Sequence, residues 1–134
     1  MSDLEVVREF DATPEEVWHA LTEPVELGAW FWPFTMNAEI EPWAGGRLRL
    51  EAPEPAMGVT GTVSSAGERA YETSWKWDGE EHETHVGVAV EPAGDGARVR
   101  VVQRGFPDDN SRDEHIQGWN DCLDRLPGHL ARRS

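Results

Sequence analysis

The sequence predicts an α+β domain in which one long C-terminal helix covers an antiparallel sheet. Six segments of alternating apolar and polar residues follow one another between residues 35 and 106, and most are separated by turns that contain glycine. From about residue 109 to residue 130, apolar side chains recur at spacings of three and four, which is typical of a helix with one apolar face. These two patterns define the fold class.

One strand and two short helices precede the six segments. Residues 4–10 alternate and predict a first strand. In the next segment, TPEEVWHAL, Thr13 and Glu16 have the spacing of a capping box, which predicts a helix start. A second short helix is expected to begin at Pro24 and to reach about Trp30.

The six strand segments are predicted to form a meander with one apolar face and one charged face. They cover residues 35–43, 47–52, 58–66, 70–77, 82–92 and 97–106. Alternation places on the apolar face Tyr71, Thr73, Trp75, Trp77, Val86, Val88, Val90, Val99, Val101 and Gln103. Such a face needs a cover, and the final helix supplies one.

The final helix carries the apolar stripe. Asn110 or Ser111 is expected to cap its start. Pro127 lies inside the pattern, so we expect the helix to kink or end near Arg125, with a short extension beyond.

Composition excludes several classes of function. The chain has 134 residues, which predicts one domain over residues 1–134, and its net charge is −14. Neither nucleic acid nor an anionic membrane suits such a charge. Cys122 is the single cysteine, so no internal disulfide is possible. No apolar run approaches the roughly 20 residues of a membrane span, and a cytoplasmic protein is expected.

Several motifs resemble those of one superfamily. FDATPEEVWHALTEPVELGAWFWP, GGRLRL, VTGTV, SWKW, DGARVRVVQRGF and GW…CL…L occur in the order seen in START-like (SRPBCC) proteins. The resemblance is strongest to the group named after the activator of the heat-shock protein 90 ATPase homologue, and it spans about Leu4 to Leu130. It implies a helix-grip fold, a curved seven-stranded antiparallel sheet wrapped around the C-terminal helix with a cavity between them. Trp43 and Pro127 depart from the family pattern.

The aromatic stretch AWFWPF, residues 29–34, is then expected to form a lip over that cavity. The leading hypothesis is binding of a small hydrophobic or aromatic ligand, with Gln103 as an orienting group. The residues assigned to the ligand site are Trp30, Phe34, Trp43, Trp75, Trp77, Val88, Val101, Gln103, Phe106, Trp119, Cys122 and Leu123. Two alternatives stay open: the aromatic side chains fill the core, or they form an exposed patch for a partner.

Catalytic and metal sites are not predicted, and no cofactor is expected. His82 and His85 are three apart on a predicted strand and therefore face opposite sides. His115 is not assigned to the cavity, and Cys122 is interpreted as a small buried apolar residue. The alternative functions are a polyketide cyclase-like or hydratase-like enzyme and a chaperone co-activator-like interaction protein. Homodimerisation through an exposed lip is a further prediction.

Overall fold

The computed structural model describes residues 2–133 and confirms the predicted order of elements. The elements are β1 (Ser2–Phe10), α1 (Pro14–Thr22), α2 (Pro24–Trp30), β2 (Asn37–Ile40), β3 (Arg47–Ala52), β4 (Met57–Gly67), β5 (Ala70–Trp77), β6 (Thr84–Ala93), β7 (Gly96–Phe106) and α3 (Asp109–Arg133). None of the helices in residues 2–133 is long and apolar enough to cross a membrane.

The strands form one seven-stranded antiparallel sheet in the order β1-β7-β6-β5-β4-β3-β2. Consecutive strands from β2 to β7 are neighbours, whereas β1 pairs with β7 at the far edge. Since β1 and β2 are the two edges, the chain between them must cross the width of the sheet. Helices α1 and α2 and the segment 31–36 make this crossing. From here on, the lip means residues 31–36, which include four of the six residues of the predicted lip.

The predicted alternation of the strands is confirmed. Val88 of β6 and Val101 of β7 are buried on the inner face, and Leu123 and Leu126 of α3 are buried against the same core. On the outer face, arginines of β7 pair with carboxylates of neighbouring strands, as Arg98 does with Glu9 and Glu91. The apolar face and α3 therefore cover each other, as the sequence predicts.

Two helix starts show how local sequence sets the boundaries. In α1 the capping box is confirmed, because the Thr13 hydroxyl accepts from the Glu16 amide at 3.1 Å and the Glu16 carboxylate accepts from the Thr13 amide at 3.0 Å. In α3 the predicted caps Asn110 and Ser111 are wrong. The Asp108 carboxylate accepts from the Ser111 amide at 2.7 Å, so Asp108 caps the helix and both predicted residues lie in its first turn.

The helix end predicted near Arg125 is also wrong, because α3 continues through Pro127 to Arg133. Proline at this position removes one backbone hydrogen bond, which would go to the Leu123 carbonyl. Leu126 and Leu130 on either side are buried, and the ring of His129 lies 3.1 Å from a Glu26 carboxylate oxygen. Tertiary contacts on both sides of the proline therefore hold the last turns in place.

One surface ion pair leads to a pH prediction. Arg49 binds both carboxylate oxygens of Asp78, at 2.8 and 2.9 Å, and this pairing holds the pKa of Asp78 below its usual 3.8. A carboxyl whose pKa is lowered by folding stabilises the fold above its unfolded-state pKa, and this stabilisation is lost as the pH falls through the folded-state value. We expect Asp78→Asn to reduce the loss of stability between neutral pH and pH about 3. Urea unfolding at both pH values measures the difference.

The control for this prediction is Asp95→Asn in the β6–β7 turn, since the Asp95 carboxylate forms no ion pair among the described residues. It should keep the acid sensitivity of the parent protein. Equal acid sensitivity in the parent and in Asp78→Asn would contradict the prediction.

Candidate functional site

Aromatic rings from three parts of the chain meet between the lip, β5 and α3. Phe31 of the lip packs edge-on against Trp119 of α3, with ring centroids 5.7 Å apart. Trp119 contacts Trp75 of β5 at 5.5 Å, and Trp75 contacts Trp77 at 6.1 Å. Trp32 of the lip then stacks on Trp77 at 6.2 Å with planes 17° apart. The lip is therefore packed into the protein rather than extended into solvent.

Arg125 of α3 fixes the lip through the backbone. Its Nε donates to the Trp30 carbonyl at 3.1 Å and its Nη2 donates to the Phe31 carbonyl at 2.7 Å. These carbonyls lie at the C-terminal end of α2, where a cation also interacts favourably with the helix dipole. No role was predicted for Arg125 from the sequence, because a backbone partner 94 residues away leaves no pattern there.

The buried Gln103 orients a protein side chain. It is 0 % exposed; its Oε1 accepts from Trp119 Nε1 at 2.8 Å, and its Nε2 donates to Thr84 Oγ1 at 2.8 Å. The inward direction predicted for Gln103 is confirmed. The group it orients is the Trp119 indole, and both ends of its amide are thereby occupied.

An open cavity of about 460 Å³ lies between the lip, the end of β5 and the α3 face that runs from Ser111 to Arg125. We call it the aromatic cavity. Its walls are Phe31, Trp32, Pro33, Phe34, Met57, Trp75, Trp77, Glu80, Ser111, Glu114, His115, Gly118, Trp119, Asp121, Cys122 and Arg125. Deeper between sheet and helix the side chains close up, and a void of about 20 Å³ remains. The aromatic side chains therefore fill the inner core, as the first alternative expected, and they also leave an open space at its mouth.

The structure separates the twelve predicted site residues into groups. Phe34, Trp75, Trp77, Trp119 and Cys122 line the aromatic cavity. The small inner void is bordered by Val88, Val101 and Leu123, together with Trp75 and Trp119. Five of the twelve predicted residues therefore meet at one opening.

The other predicted residues lie elsewhere. Trp30 is 2 % exposed and donates from its indole to the Ala20 carbonyl at 2.9 Å. Phe106 is buried beside a separate space of about 30 Å³. Gln103 borders none of these spaces.

Trp43 does not line the cavity, in contrast to its assignment. It is 57 % exposed in the β2–β3 turn. The turn is held by its backbone, since the Gly46 amide donates to the Trp43 carbonyl at 2.8 Å. A Cβ at Gly46 would lie 2.1 Å from the Glu41 carbonyl oxygen, so a glycine is required there. The turn is thus closed by its backbone and leaves the indole in solvent.

His115 is a second site residue that the prediction missed. Its Nε2 accepts from Trp77 Nε1 at 2.9 Å, and its Nδ1 lies 2.8 Å from the Ser111 carbonyl. An indole N–H can only donate, so the imidazole is neutral with its proton on Nδ1. The spacing of four residues between His115 and Trp119 placed both on one helix face and was the available signal.

The outward direction predicted for His85 is confirmed, whereas His82 does not lie on a strand as predicted. His85 is exposed on the outer face of β6, and His82 lies before the strand begins. Within residues 2–133, no group of three or more His, Cys, Asp or Glu side chains is arranged to hold a metal ion.

Burial controls the reactivity of Cys122. The side chain is buried, and burial raises the pKa of its thiol from 9.0 to about 12. Because the thiolate is the reactive form, we expect no alkylation of native protein by iodoacetamide at pH about 8 and complete alkylation in denaturant. Intact mass spectrometry of both samples measures this. Rapid modification of the native protein would show that Cys122 is accessible.

The basis for the homodimer prediction changes with the structure. That prediction required an exposed lip, whereas Phe31 and Trp32 are buried and Phe34 is half-buried. The stretch therefore supplies little of the exposed apolar surface on which a dimer would form.

The fold and the cavity define the class of protein. An antiparallel sheet packs around a long C-terminal helix, and a cavity lined by aromatic side chains opens at one end of the space between them. The chain belongs to the family described as Activator of Hsp90 ATPase homolog 1-like protein, which matches residues 11–131. The resemblance seen in the sequence is confirmed. No curated protein shows significant sequence similarity to the chain.

Solved structures share this fold. A Rhodobacter sphaeroides protein is 28% identical with a TM-score of 0.83, and the alignment covers 99% of this chain and 94% of that one. The AHSA1 protein of Silicibacter pomeroyi is 24% identical with a TM-score of 0.81 and coverages of 99% and 100%. DynU16, from the dynemicin biosynthetic locus, is 20% identical with a TM-score of 0.81, and the alignment covers 98% of this chain and 46% of DynU16. The helix-grip fold is common to all of them.

Proposed function

We propose that the protein binds a small hydrophobic or aromatic molecule in the aromatic cavity. The observation that carries this proposal is an open volume of about 460 Å³ with six aromatic side chains in its walls. Small-molecule sites in proteins commonly have volumes of about 300–1,000 Å³ and mostly apolar linings. A ligand that filled this space would remove both its own surface and the aromatic walls from water.

One buried donor supports a ligand that carries a hydrogen-bond acceptor. Trp75 lines the cavity and is 6 % exposed, and its Nε1 has no hydrogen-bond partner among the described residues. A buried donor without a partner destabilises a protein by about 1–3 kcal/mol. A carbonyl or hydroxyl oxygen that reaches Trp75 would remove this penalty.

Binding without catalysis fits the polar groups of the cavity better than a cyclase-like or hydratase-like reaction. The imidazole of His115 has both nitrogens in hydrogen bonds, and the thiol of Cys122 is held protonated by burial. Neither side chain is available as a base without breaking existing contacts. DynU16, which comes from a biosynthetic locus, shares the fold of this chain. A shared fold does not by itself support catalysis, since one fold can host many functions.

A chaperone contact through the lip is the weaker alternative. The family description names an activator of the Hsp90 ATPase. Trp30, which would carry such a contact, is buried and bonded to the Ala20 carbonyl, and Phe34 is half-buried against Trp32. The lip therefore offers little accessible aromatic surface to a protein partner.

A cavity-filling variant tests the proposal. Gly118 lines the cavity from α3, and a Cβ built there meets no atom within 4 Å. The leucine side chain of Gly118→Leu should therefore extend into the cavity, and leucine should stabilise the helix by about 1 kcal/mol relative to glycine. We expect the neutral fluorescent probe N-phenyl-1-naphthylamine to bind the parent protein and to lose at least about tenfold in affinity for Gly118→Leu.

Gly128→Leu is the matched control, because Gly128 is exposed on the same helix and lies outside the aromatic cavity. It should bind the probe like the parent protein. Native mass spectrometry of freshly purified protein gives a second readout, in which extra mass that is lost on denaturation reports a bound molecule. Equal probe binding by all three proteins, or by none of them, would contradict the proposal.

A further inference from the structure

We propose that the aromatic cavity takes a small organic cation, namely an alkylated or protonated ammonium group attached to an apolar body. This inference rests on the proposed binding function and adds the charge of the ligand. It follows from three features of the cavity: the carboxylates at its mouth, the hydrogen bonds that Arg125 already forms with backbone carbonyls, and the arrangement of the aromatic rings.

Three carboxylates surround the mouth. Glu80 follows the end of β5, and Glu114 and Asp121 lie two turns apart on α3. All three are exposed, and the side-chain partners of Glu114 and Asp121 among the described residues are neutral amides. Asn110 donates to Glu114 at 3.2 Å, and Gln117 donates to Asp121 at 2.9 Å. No described Lys or Arg side chain forms an ion pair with any of the three.

The arginine of the cavity, Arg125, is already hydrogen-bonded to the protein backbone. Arg125 donates to the two carbonyls at the end of α2, where its charge offsets the negative end of the helix dipole. His115 is neutral, because its Nε2 accepts from the Trp77 indole. An anionic ligand would therefore meet three carboxylates on a chain of net charge −14, against the single guanidinium of Arg125.

The aromatic walls provide the complementary attraction. Trp75 and Trp77 border the cavity with ring planes 83° apart, and Trp32 lies within 17° of parallel to Trp77. Indole rings attract cations over their faces, and this attraction strengthens when the cation is partly desolvated. A cation at the mouth would contact aromatic surface and carboxylates together, whereas a neutral molecule of the same shape would gain from the apolar contact alone.

A set of three probes of similar size tests the charge. Benzyltrimethylammonium is the cation, neopentylbenzene is its neutral isostere, and phenylacetate is the anion. Titration followed by tryptophan fluorescence should give an affinity about tenfold higher for the cation than for the isostere, with the anion weakest. Added salt should narrow this difference, since the exposed carboxylates are screened by ions.

Two variants test whether the carboxylates at the mouth cause the preference for the cation. The double variant Glu80→Gln, Glu114→Gln should bring the cation affinity close to that of the isostere and leave the isostere unchanged. The control is Asp95→Asn in the β6–β7 turn, which also removes a negative charge but does not line the cavity. It should keep the preference for the cation.

The outcomes separate the two proposals. If the isostere binds as tightly as the cation and Gly118→Leu abolishes both, the inference about charge fails and the proposed function stands. Tightest binding of phenylacetate would overturn the inference in favour of anion recognition by Arg125. If Gly118→Leu affects none of the probes, both proposals fail.

Discussion

Gln103→Ala is expected to lower the free energy of unfolding by about 3–5 kcal/mol. The side chain is fully buried, so its removal leaves a cavity in a close-packed core. It also leaves the indole N–H of Trp119 and the hydroxyl of Thr84 without the partners they have now. Urea unfolding followed by circular dichroism measures the loss.

Two further variants separate the causes. Gln103→Leu keeps most of the volume and removes both hydrogen bonds, so we expect about 2–3 kcal/mol of the loss to persist. Gln117→Ala removes a side chain from the exposed face of α3 and should change stability by less than about 0.5 kcal/mol. If Gln103→Leu proved as stable as the parent protein, the hydrogen bonds of Gln103 would not be needed to hold Trp119.

The same variants bear on the cavity. Trp119 forms part of its inner wall and contacts both Phe31 and Trp75. With its indole N–H unpaired, the ring loses the bond that sets its orientation. We therefore infer that Gln103 shapes the cavity indirectly, by orienting the Trp119 ring. The sequence pattern identified Gln103 as an orienting residue, but the group that it orients is a protein side chain and not a ligand.

The order of elements could be predicted from the sequence because it depends on local patterns. Alternation identified the strands, and the capping box at Thr13 identified the start of α1. Pro127 was misjudged because a local rule was applied where the buried neighbours Leu126 and Leu130 decide the outcome. Tertiary contacts of that kind cannot be read from a single segment.

Part of the cavity lining could be predicted from the sequence. Trp75 and Trp77 line the aromatic cavity because strand parity places them on the inner face. Trp43 was misplaced because its position depends on how one turn is closed. Arg125 and His115 were missed because their partners are a distant backbone and a distant indole, and such pairs appear only when the chain is folded.

Arg125→Met is expected to lower the free energy of unfolding by about 1.5–3 kcal/mol, the usual range for hydrogen bonds to a charged group. Methionine keeps the length and apolar contacts of the arginine stem, so the loss reports the guanidinium. Without it, the carbonyls of Trp30 and Phe31 lose their donors, and the lip is held by its ring contacts alone. Hydrogen exchange of residues 31–36 should become faster than in the parent protein.

The matched control is Arg132→Met, because Arg132 is exposed on the same helix beyond the aromatic cavity. Its stability and its lip exchange should match those of the parent protein. Arg125→Lys should fall between the two, since an ammonium group lacks the planar fork that reaches two carbonyls at once. Unchanged exchange of the lip in Arg125→Met would show that aromatic packing is sufficient to close this side of the cavity. Faster exchange together with weaker probe binding would show that one guanidinium on α3 positions the wall against which a ligand packs.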